Sequence, residues 1–266
     1  MILLNGKQVV LDHFTDGTLS IKETVPREYG TSRSATLTWT YENDEETVAL
    51  YFLTRHLQEH GVEDVKLVMP YIPNARKDRC RTDADVFTLK YFAELLNSLH
   101  FTSVTVLDPH SMVSEALIDR LVIKTAGENI KEALSRIGRE DTILFFPDEG
   151  AMKRYFAMTD RPYVFGMKKR DFETRQILEM QVMGTAKELT GKTVLMVDDI
   201  CSSGNTLLYA AEQLKEKGVG DLFLYVSHCE NIALQSKLVT TDIVKRIYTT
   251  GSFLRETHEK IEILDY

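Results

Sequence analysis

The segment that decides the fold reads Thr193-Val-Leu-Met-Val-Asp-Asp-Ile-Cys-Ser-Ser-Gly-Asn-Thr206. It opens with a short apolar, β-branched run, which predicts a buried strand over 193–197. Two carboxylates, Asp198 and Asp199, stand at the end of that strand, and a helix is predicted from about Thr206 to Lys217. Strand, small polar loop and helix in this order are typical of a βαβ unit in a parallel sheet covered by helices.

The same alternation repeats along the chain and predicts an α/β fold. The other predicted elements are strands over 65–69, 104–107, 143–146, 163–165 and 222–226 and a helix over 85–99. A glycine and charge cluster, Thr125-Ala-Gly-Glu128, separates one such series from the next. We therefore expect two related domains, 1–125 and 126–266, each a mostly parallel sheet flanked by helices. In such sheets ligands bind at the carboxyl ends of the strands, so the loops after strands are the candidate sites.

Composition excludes several classes of protein. The chain has 266 residues, 43% of them hydrophobic and 27% charged, which is the composition of an ordinary globular protein. The net charge of −8 argues against a general nucleic-acid binder. No apolar run approaches the ~18 residues of a membrane helix. Three widely spaced cysteines favour neither a disulfide framework nor a zinc site, and we expect a cytoplasmic protein that binds neither nucleic acid nor membrane.

The loop after the acidic pair has the chemistry of a phosphate site. Small residues let backbone N–H groups surround a phosphate, hydroxyl side chains add donors, and a helix N-terminus favours an anion. The two carboxylates suit the vicinal hydroxyls of a ribose, or a metal beside it, since they would repel a phosphate. The predicted ligand is a ribose 5-phosphate unit held by Asp198, Asp199, Ser202, Ser203, Gly204, Asn205 and Thr206. The simpler interpretation is a capped helix after a solvent-facing turn, but capping does not require a paired acid.

This segment resembles the phosphoribosyl-binding loop of phosphoribosyltransferases and of ribose-phosphate diphosphokinases, the PRPP synthetases. Two further segments resemble the ATP side of the PRPP synthetases, namely Met69-Pro-Tyr-Ile-Pro-Asn-Ala-Arg-Lys-Asp-Arg79 and Val106-Leu-Asp-Pro-His-Ser111. A third, Phe14-Thr-Asp-Gly17, is similar to the loop that reaches adenine across a subunit contact. The resemblance implies two phosphoribosyltransferase-like domains, the first on the ATP side. It implies that ATP is bound by Phe14, Asp16, Arg76, Lys77, Asp78 and His110.

Two segments of the second half complete the resemblance, and the order of all the segments along the chain is the same as in that family. Phe146-Pro-Asp-Glu-Gly-Ala-Met-Lys-Arg154 implies that Asp148 serves the metal and ribose site, and His110 is implied as the other magnesium ligand. Gly166-Met-Lys-Lys-Arg-Asp171 resembles the mobile catalytic arm, with Lys168 and Arg170 as the catalytic cations. Phosphoryl transfer depends mainly on positioning and charge stabilisation, so cations there are chemically sensible.

The chain also departs from the family's pattern. It begins almost at the Phe-x-Asp-Gly element, which puts the family's regulatory site and hexameric assembly in doubt. Thr18 replaces a usual glutamate, so adenine recognition is expected to differ. Ser202 and Asn205 stand where the synthetases have aspartate and a small residue. Loss of a carboxylate from the loop reduces repulsion of an acceptor that carries a second phosphate. ADP-ribose is such an acceptor, and the same chemistry on it would give a precursor for NAD.

The resulting hypothesis is an enzyme that moves the β,γ-diphosphoryl group of ATP to the anomeric hydroxyl of a ribose 5-phosphate unit and releases AMP. Magnesium and a homo-oligomeric assembly are expected with it. The alternatives are the same chemistry on ADP-ribose, a phosphoribosyltransferase, and a non-catalytic regulatory homologue. Retention of the ATP-side loop and of the Lys-x-Arg arm weighs against a phosphoribosyltransferase. A regulatory homologue could lose that arm, and Lys168 and Arg170 are retained here, but the family's absent first strand and helix leave this alternative open.

Overall fold

The computed structural model describes residues 1–22, 34–170, 177–186 and 188–266. Contacts between backbone positions divide the chain into two compact units, Met1–Lys124 and Thr125–Tyr266. Each unit is a mostly parallel sheet flanked by helices, which confirms the predicted α/β class. None of the described helices is both long enough and apolar enough to cross a lipid bilayer.

The first unit contains a six-stranded sheet and a separate hairpin. Its strands are β1 (Ile2–Leu4), β2 (Lys7–Gln8), β3 (Leu11–His13), β4 (Leu19–Ile21), β5 (Ser34–Trp39), β6 (Asp64–Val68), β7 (Ser103–Leu107) and β8 (Leu121–Lys124). Its helices are α1 (Glu45–Glu59), α2 (Thr88–Ser98) and α3 (Val113–Leu117). The sheet order is β2-β1-β5-β6-β7-β8, with β5 to β8 parallel. Within the described part of the chain, β3 pairs only with β4. The carboxyl ends of β6 and β7 therefore lie side by side.

The second unit contains a seven-stranded sheet. Its strands are β9 (Ile143–Phe146), β10 (Tyr163–Arg170), β11 (Ile177–Gly184), β12 (Val194–Cys201), β13 (Leu222–Cys229), β14 (Arg246–Thr250) and β15 (Ile261–Leu264). Its helices are α4 (Gly127–Ile137), α5 (Glu149–Tyr155), α6 (Asn205–Glu216) and α7 (Lys237–Thr240). The strand order is β11-β10-β9-β12-β13-β14-β15, and among the described strands of this sheet only β11 runs antiparallel to its neighbour.

The strand order of the second unit reverses between β9 and β12. From β9 the chain moves outward to β10 and β11, and from β12 it moves the other way to β13, β14 and β15. Helix α5 follows β9 and packs on one face of the sheet, whereas α6 follows β12 and packs on the other. A crevice opens at the carboxyl ends of two strands whose connections diverge in this way, and this is where open α/β sheets bind ligands. The residues that follow β9 and β12 are therefore the candidate site.

The two cores follow from the apolar patterns of these elements. Helix α6 buries Leu207, Ala210 and Leu214 against β12, β13 and β14. The run Ile143–Phe146 is buried at every position, as expected for a strand covered on both faces. Burying one such large apolar side chain is worth about 1.5–3 kcal/mol, so β9 is a rigid base for the residues that follow it.

Candidate functional site

The acidic pair lies inside β12 and not after it. The sequence predicted a strand ending before Asp198, but β12 continues to Cys201 because its partner β13 is equally long and pairs with it as far as Cys229. Asp199 is nearly buried, with 6% of its surface exposed, whereas Asp198 is partly exposed. The two carboxylates are therefore held by regular sheet backbone at the β9–β12 crevice.

The surroundings of the two carboxylates differ. Asp199 forms an ion pair with Arg154 from α5, with 3.0 Å between Oδ2 and Nη1. Asp198 accepts a hydrogen bond from the backbone N–H of Asp199 at 3.0 Å. Burial raises the pKa of the Asp198 carboxyl, and the negative charges of Asp199 and Asp148 raise it further. A ligand that brings hydroxyl donors or positive charge to Asp198 would relieve this repulsion.

Asp148 lies at the start of α5, directly after β9. Its Oδ1 accepts a hydrogen bond from the N–H of Ala151 at 3.0 Å, so the side chain caps the helix. The side chain is exposed, and its charge acts on Asp198. The structure thus brings Asp148 and the acidic pair together, although they are 50 positions apart in sequence. Carboxylate oxygens are donors that suit Mg²⁺, but the described residues contain no group of three or more His, Cys, Asp or Glu side chains placed to hold a metal ion. The role of Asp148 as a metal ligand stays a prediction.

The loop between β12 and α6 turns at Gly204. This residue has φ of +74°, and a Cβ there would lie 2.8 Å from both Leu238 Cδ1 and Ser236 Oγ. Its carbonyl accepts the first helical hydrogen bond, from Leu208 N–H at 2.8 Å. Ser203, Asn205 and Thr206 are exposed. The first turn of α6 therefore presents backbone N–H groups and hydroxyls to solvent, as a phosphate site requires.

Ser202 has a different partner from the one that the sequence implied. Its hydroxyl donates to Glu230 Oε2 at 2.7 Å, and the backbone N–H of Glu230 donates to the Cys201 carbonyl at 2.9 Å. Glu230 follows β13 and was not identified from the sequence. The loop itself lacks the family's carboxylate, but Glu230, directly after the neighbouring strand, places one beside Ser202. The signal was available only from strand register, since Cys201 pairs with Cys229.

In the first unit, the loops after β6 and β7 meet at Asp78. This carboxylate is 7% exposed and accepts two hydrogen bonds from the Arg79 guanidinium, at 2.8 and 3.0 Å. These bonds, with one from Ser111 and the charge of His110, lower the pKa of Asp78 to about 2. Asp78 and His110, both predicted on the ATP side, therefore lie close together. Asp78 connects the two loops through its hydrogen bonds with Arg79 and Ser111.

Arg76 and Lys77, the two other cations of the Met69–Arg79 segment, differ in their contacts and exposure. Lys77 forms an ion pair with Asp85, a residue that the sequence analysis did not identify, whereas Arg76 is exposed. Asp85 also accepts hydrogen bonds from the backbone N–H groups of Arg81 and Thr82, at 2.8 and 2.9 Å. Lys77 lowers the pKa of the Asp85 carboxyl, and the backbone bonds add to this. Lys77 thus shapes the loop as well as carrying charge.

The turn between β3 and β4 holds the remaining residues predicted to bind ATP. Asp16 accepts hydrogen bonds from the N–H and the hydroxyl of Thr18, at 3.0 and 2.7 Å, and both lower its pKa. Thr18, which replaces the family's glutamate, therefore fixes the Asp16 side chain. Phe14 is 62% exposed and lines a cavity of about 360 Å³ together with Phe52 and His56 of α1.

Lys168 and Arg170 belong to β10, which the sequence predicted to end at Phe165. The strand continues to Arg170 because β11 pairs with it antiparallel, with Lys168 opposite Met180. The side chains of 168–170 lie outside the described residues, as do residues 171–176. The catalytic assignment of these two cations remains a prediction.

Comparisons with known proteins find a phosphoribosyltransferase domain model and several ribose-phosphate pyrophosphokinases. A family model described as "Phosphoribosyl transferase domain" matches residues 150–246. The ribose-phosphate pyrophosphokinase of Thermococcus kodakarensis is 28% identical over 228 residues, which cover 83% of this chain and 77% of the relative. That of Bacillus subtilis is 26% identical over 223 residues, covering 82% and 69%. The crystal structure of phosphoribosylpyrophosphate synthetase from Mycobacterium smegmatis superposes with a TM-score of 0.79 at 17% identity, covering 97% of this chain and 86% of that one.

Proposed function

We propose that this chain, a member of the ribose-phosphate pyrophosphokinase family with phosphoribosyltransferase-like domains, moves the β,γ-diphosphoryl group of ATP to the anomeric hydroxyl of ribose 5-phosphate and releases AMP. The observation that carries the proposal is the β9–β12 crevice. It combines Asp198 and Asp199 on one strand with an anion-binding loop and helix start directly after that strand. A ribose that carries a 5-phosphate has hydroxyls and an anion at matching ends.

Each group in the crevice has a role in this reaction. Asp198 and Asp199 accept hydrogen bonds from the ribose hydroxyls, which fixes the sugar. Ser203, Gly204, Asn205 and Thr206 surround the 5-phosphate at the start of α6, where the helix dipole favours an anion. Binding at both ends leaves the anomeric hydroxyl oriented for attack on the β-phosphorus of ATP. Such positioning removes much of the entropic barrier of a two-substrate reaction.

The first unit is proposed to bind ATP. Arg76 and Lys77 are cations on a strand-end loop of a protein with net charge −8, and they suit a polyphosphate. Asp78 shapes that loop, while Phe14 and Asp16 are proposed to serve the adenine. His110 and Asp148 are the proposed magnesium ligands. Magnesium would supply neutralising charge to the ATP phosphates.

A matched pair of assays tests the proposed reaction. AMP release is measured from ATP and Mg²⁺ with ribose 5-phosphate, and separately with ADP-ribose. We expect AMP release that depends on ribose 5-phosphate. AMP release with ADP-ribose alone would assign a different acceptor, and no release with either acceptor would contradict catalysis and favour the regulatory homologue.

Glu230 bears on the choice of acceptor. Its carboxylate lies beside the phosphate loop through Ser202, and a nearby negative charge opposes an acceptor with a second phosphate. We expect Glu230→Gln, which keeps a hydrogen-bond acceptor for Ser202, to lower the inhibition constant of ADP-ribose against ribose 5-phosphate by roughly tenfold, or about 1.4 kcal/mol. Steady-state inhibition kinetics measure this.

Ser202→Ala is the matched control for Glu230→Gln. It removes the hydrogen bond but leaves the charge, so it should leave the inhibition constant of ADP-ribose nearly unchanged. Equal inhibition constants in wild type and Glu230→Gln would show that the carboxylate does not govern the acceptor.

A homo-oligomer is also proposed, supported by exposed apolar side chains near the β3–β4 turn. Val10, Phe14, Val48 and Phe52 are between 47% and 65% exposed. Apolar side chains grouped in this way are typical of an interaction surface. We expect Phe14→Ser combined with Phe52→Ser to lower the mass measured by multi-angle light scattering. A wild-type protein that is monomeric at micromolar concentration would contradict this proposal.

A further inference from the structure

Arg154, a residue to which the sequence analysis gave no separate role, is the feature that leads beyond the proposed reaction. Its Nη1 lies 3.0 Å from Asp199 Oδ2, and the two side chains are 26% and 9% exposed. The contact joins α5 to β12 beside the acidic pair. Such a partly buried pair is screened less by water than a surface pair.

The fold fixes the position of Arg154. The next residue, Tyr155, is fully buried and stacks on Phe146 of β9, with 6.3 Å between ring centroids. The guanidinium carbon of Arg154 lies 5.6 Å from the Tyr155 ring centroid, within the range of a cation–π contact. The end of α5 is thus anchored on the strand that flanks the crevice, and Arg154 is held toward β12.

The acidic pair needs a cation at this place. A nearly buried carboxylate such as Asp199 is costly unless a positive charge compensates it. Asp198 and Asp199 are adjacent, so an uncompensated Asp199 would also repel the charge of Asp198. Arg154 supplies the compensating positive charge for Asp199 and also fixes the orientation of its carboxylate. Helix α5 therefore contacts the pair through Arg154 near its C-terminal end, while Asp148 caps its N-terminus.

We propose that Arg154 is a positioning residue of the acceptor site, which acts by holding the Asp199 carboxylate in the orientation that receives the ribose hydroxyls. This inference rests on the proposed function, because it concerns the ribose end of the same site. It implies that loss of Arg154 weakens binding of ribose 5-phosphate and leaves binding of ATP largely intact.

The test is Arg154→Met, which keeps the length of the side chain and removes its charge. We expect the KM for ribose 5-phosphate to rise at least tenfold while the KM for ATP changes less than threefold. Arg154→Lys, which restores the charge without the planar fork, should recover part of the affinity for ribose 5-phosphate. The matched control is Lys153→Met, since Lys153 is the adjacent cation and pairs with Glu149 at the surface, at 2.7 Å. This control should behave as wild type.

A double variant keeps the proposal testable if Arg154→Met does not fold. Neither Asp199→Asn nor Arg154→Met/Asp199→Asn leaves the nearly buried Asp199 carboxylate without its cation. We expect the same KM for ribose 5-phosphate in both variants, because Arg154 acts through Asp199. A further rise in the double variant, or an Arg154→Met enzyme that matches Lys153→Met, would overturn the inference. A wild-type enzyme without activity would instead overturn the proposed function, so the two failures are distinct.

Discussion

Replacing Lys168 by methionine is expected to lower kcat by a factor of roughly 10²–10³, with a much smaller change in the KM for ribose 5-phosphate. The reason is that diphosphoryl transfer develops charge on the moving group, and a positioned cation stabilises that charge in the transition state. A group that acts mainly in the transition state affects kcat more than ground-state binding. The measurement is steady-state AMP release with both substrates varied.

Lys169→Met is the matched control for this prediction. It removes the same charge from the adjacent residue of β10, to which the Lys-x-Arg resemblance gives no role. We expect its kcat to stay within about threefold of wild type, because the resemblance gives Lys169 no part in the transfer. If Lys168→Met and Lys169→Met have the same kcat, the catalytic assignment of Lys168 is wrong.

Replacing Gly204 by alanine is the second change expected to have a large effect. A Cβ at this position would meet Leu238 Cδ1 and Ser236 Oγ at 2.8 Å each, and φ of +74° is itself unfavourable for alanine. Overpacking of this kind costs about 1–3 kcal/mol of unfolding free energy. Displacement of the loop by even 1 Å can reduce activity about 10²-fold. We expect a loss of that order in kcat/KM for ribose 5-phosphate.

Gly191→Ala separates the two causes of the Gly204 effect. Gly191 has nearly the same φ, +72°, but a Cβ there would meet no atom within 4 Å. Both variants place alanine at nearly the same positive φ, so they carry the same backbone strain. The difference between Gly204→Ala and Gly191→Ala in thermal unfolding and in kinetics therefore measures the effect of the steric clash at Gly204. Nearly wild-type kinetics for Gly204→Ala would show that the loop can yield without loss of the phosphate site.

The sequence predicted what depends on local pattern. The strand and helix around Gly204 follow from an apolar run, a small polar loop and a helical period, and the structure places β12 and α6 close to those bounds. The end of β12 was wrong by four residues because strand length depends on the partner strand. The aspartates of that segment were identified because adjacent carboxylates near a strand end have few structural uses.

Residues that act through distant partners could not be predicted from the sequence. Glu230 reaches Ser202 only because β13 lies in register beside β12, and Arg154 reaches Asp199 only because α5 crosses toward β12. Asp85 was missed for a similar reason, because its ion pair with Lys77 depends on how the loop between them folds. An isolated glutamate or arginine in a chain that is 27% charged gives no signal until the fold supplies its neighbour.

Phosphorus NMR of the complete reaction tests the central claim most directly. With ATP, Mg²⁺ and ribose 5-phosphate, transfer of the diphosphoryl group as a unit predicts AMP and a sugar that carries a diphosphate at its anomeric carbon, in equal amounts. The signals should be absent when ribose 5-phosphate is omitted. Formation of ADP with a sugar that carries a single phosphate at its anomeric carbon, or of AMP with free pyrophosphate only, would contradict the account.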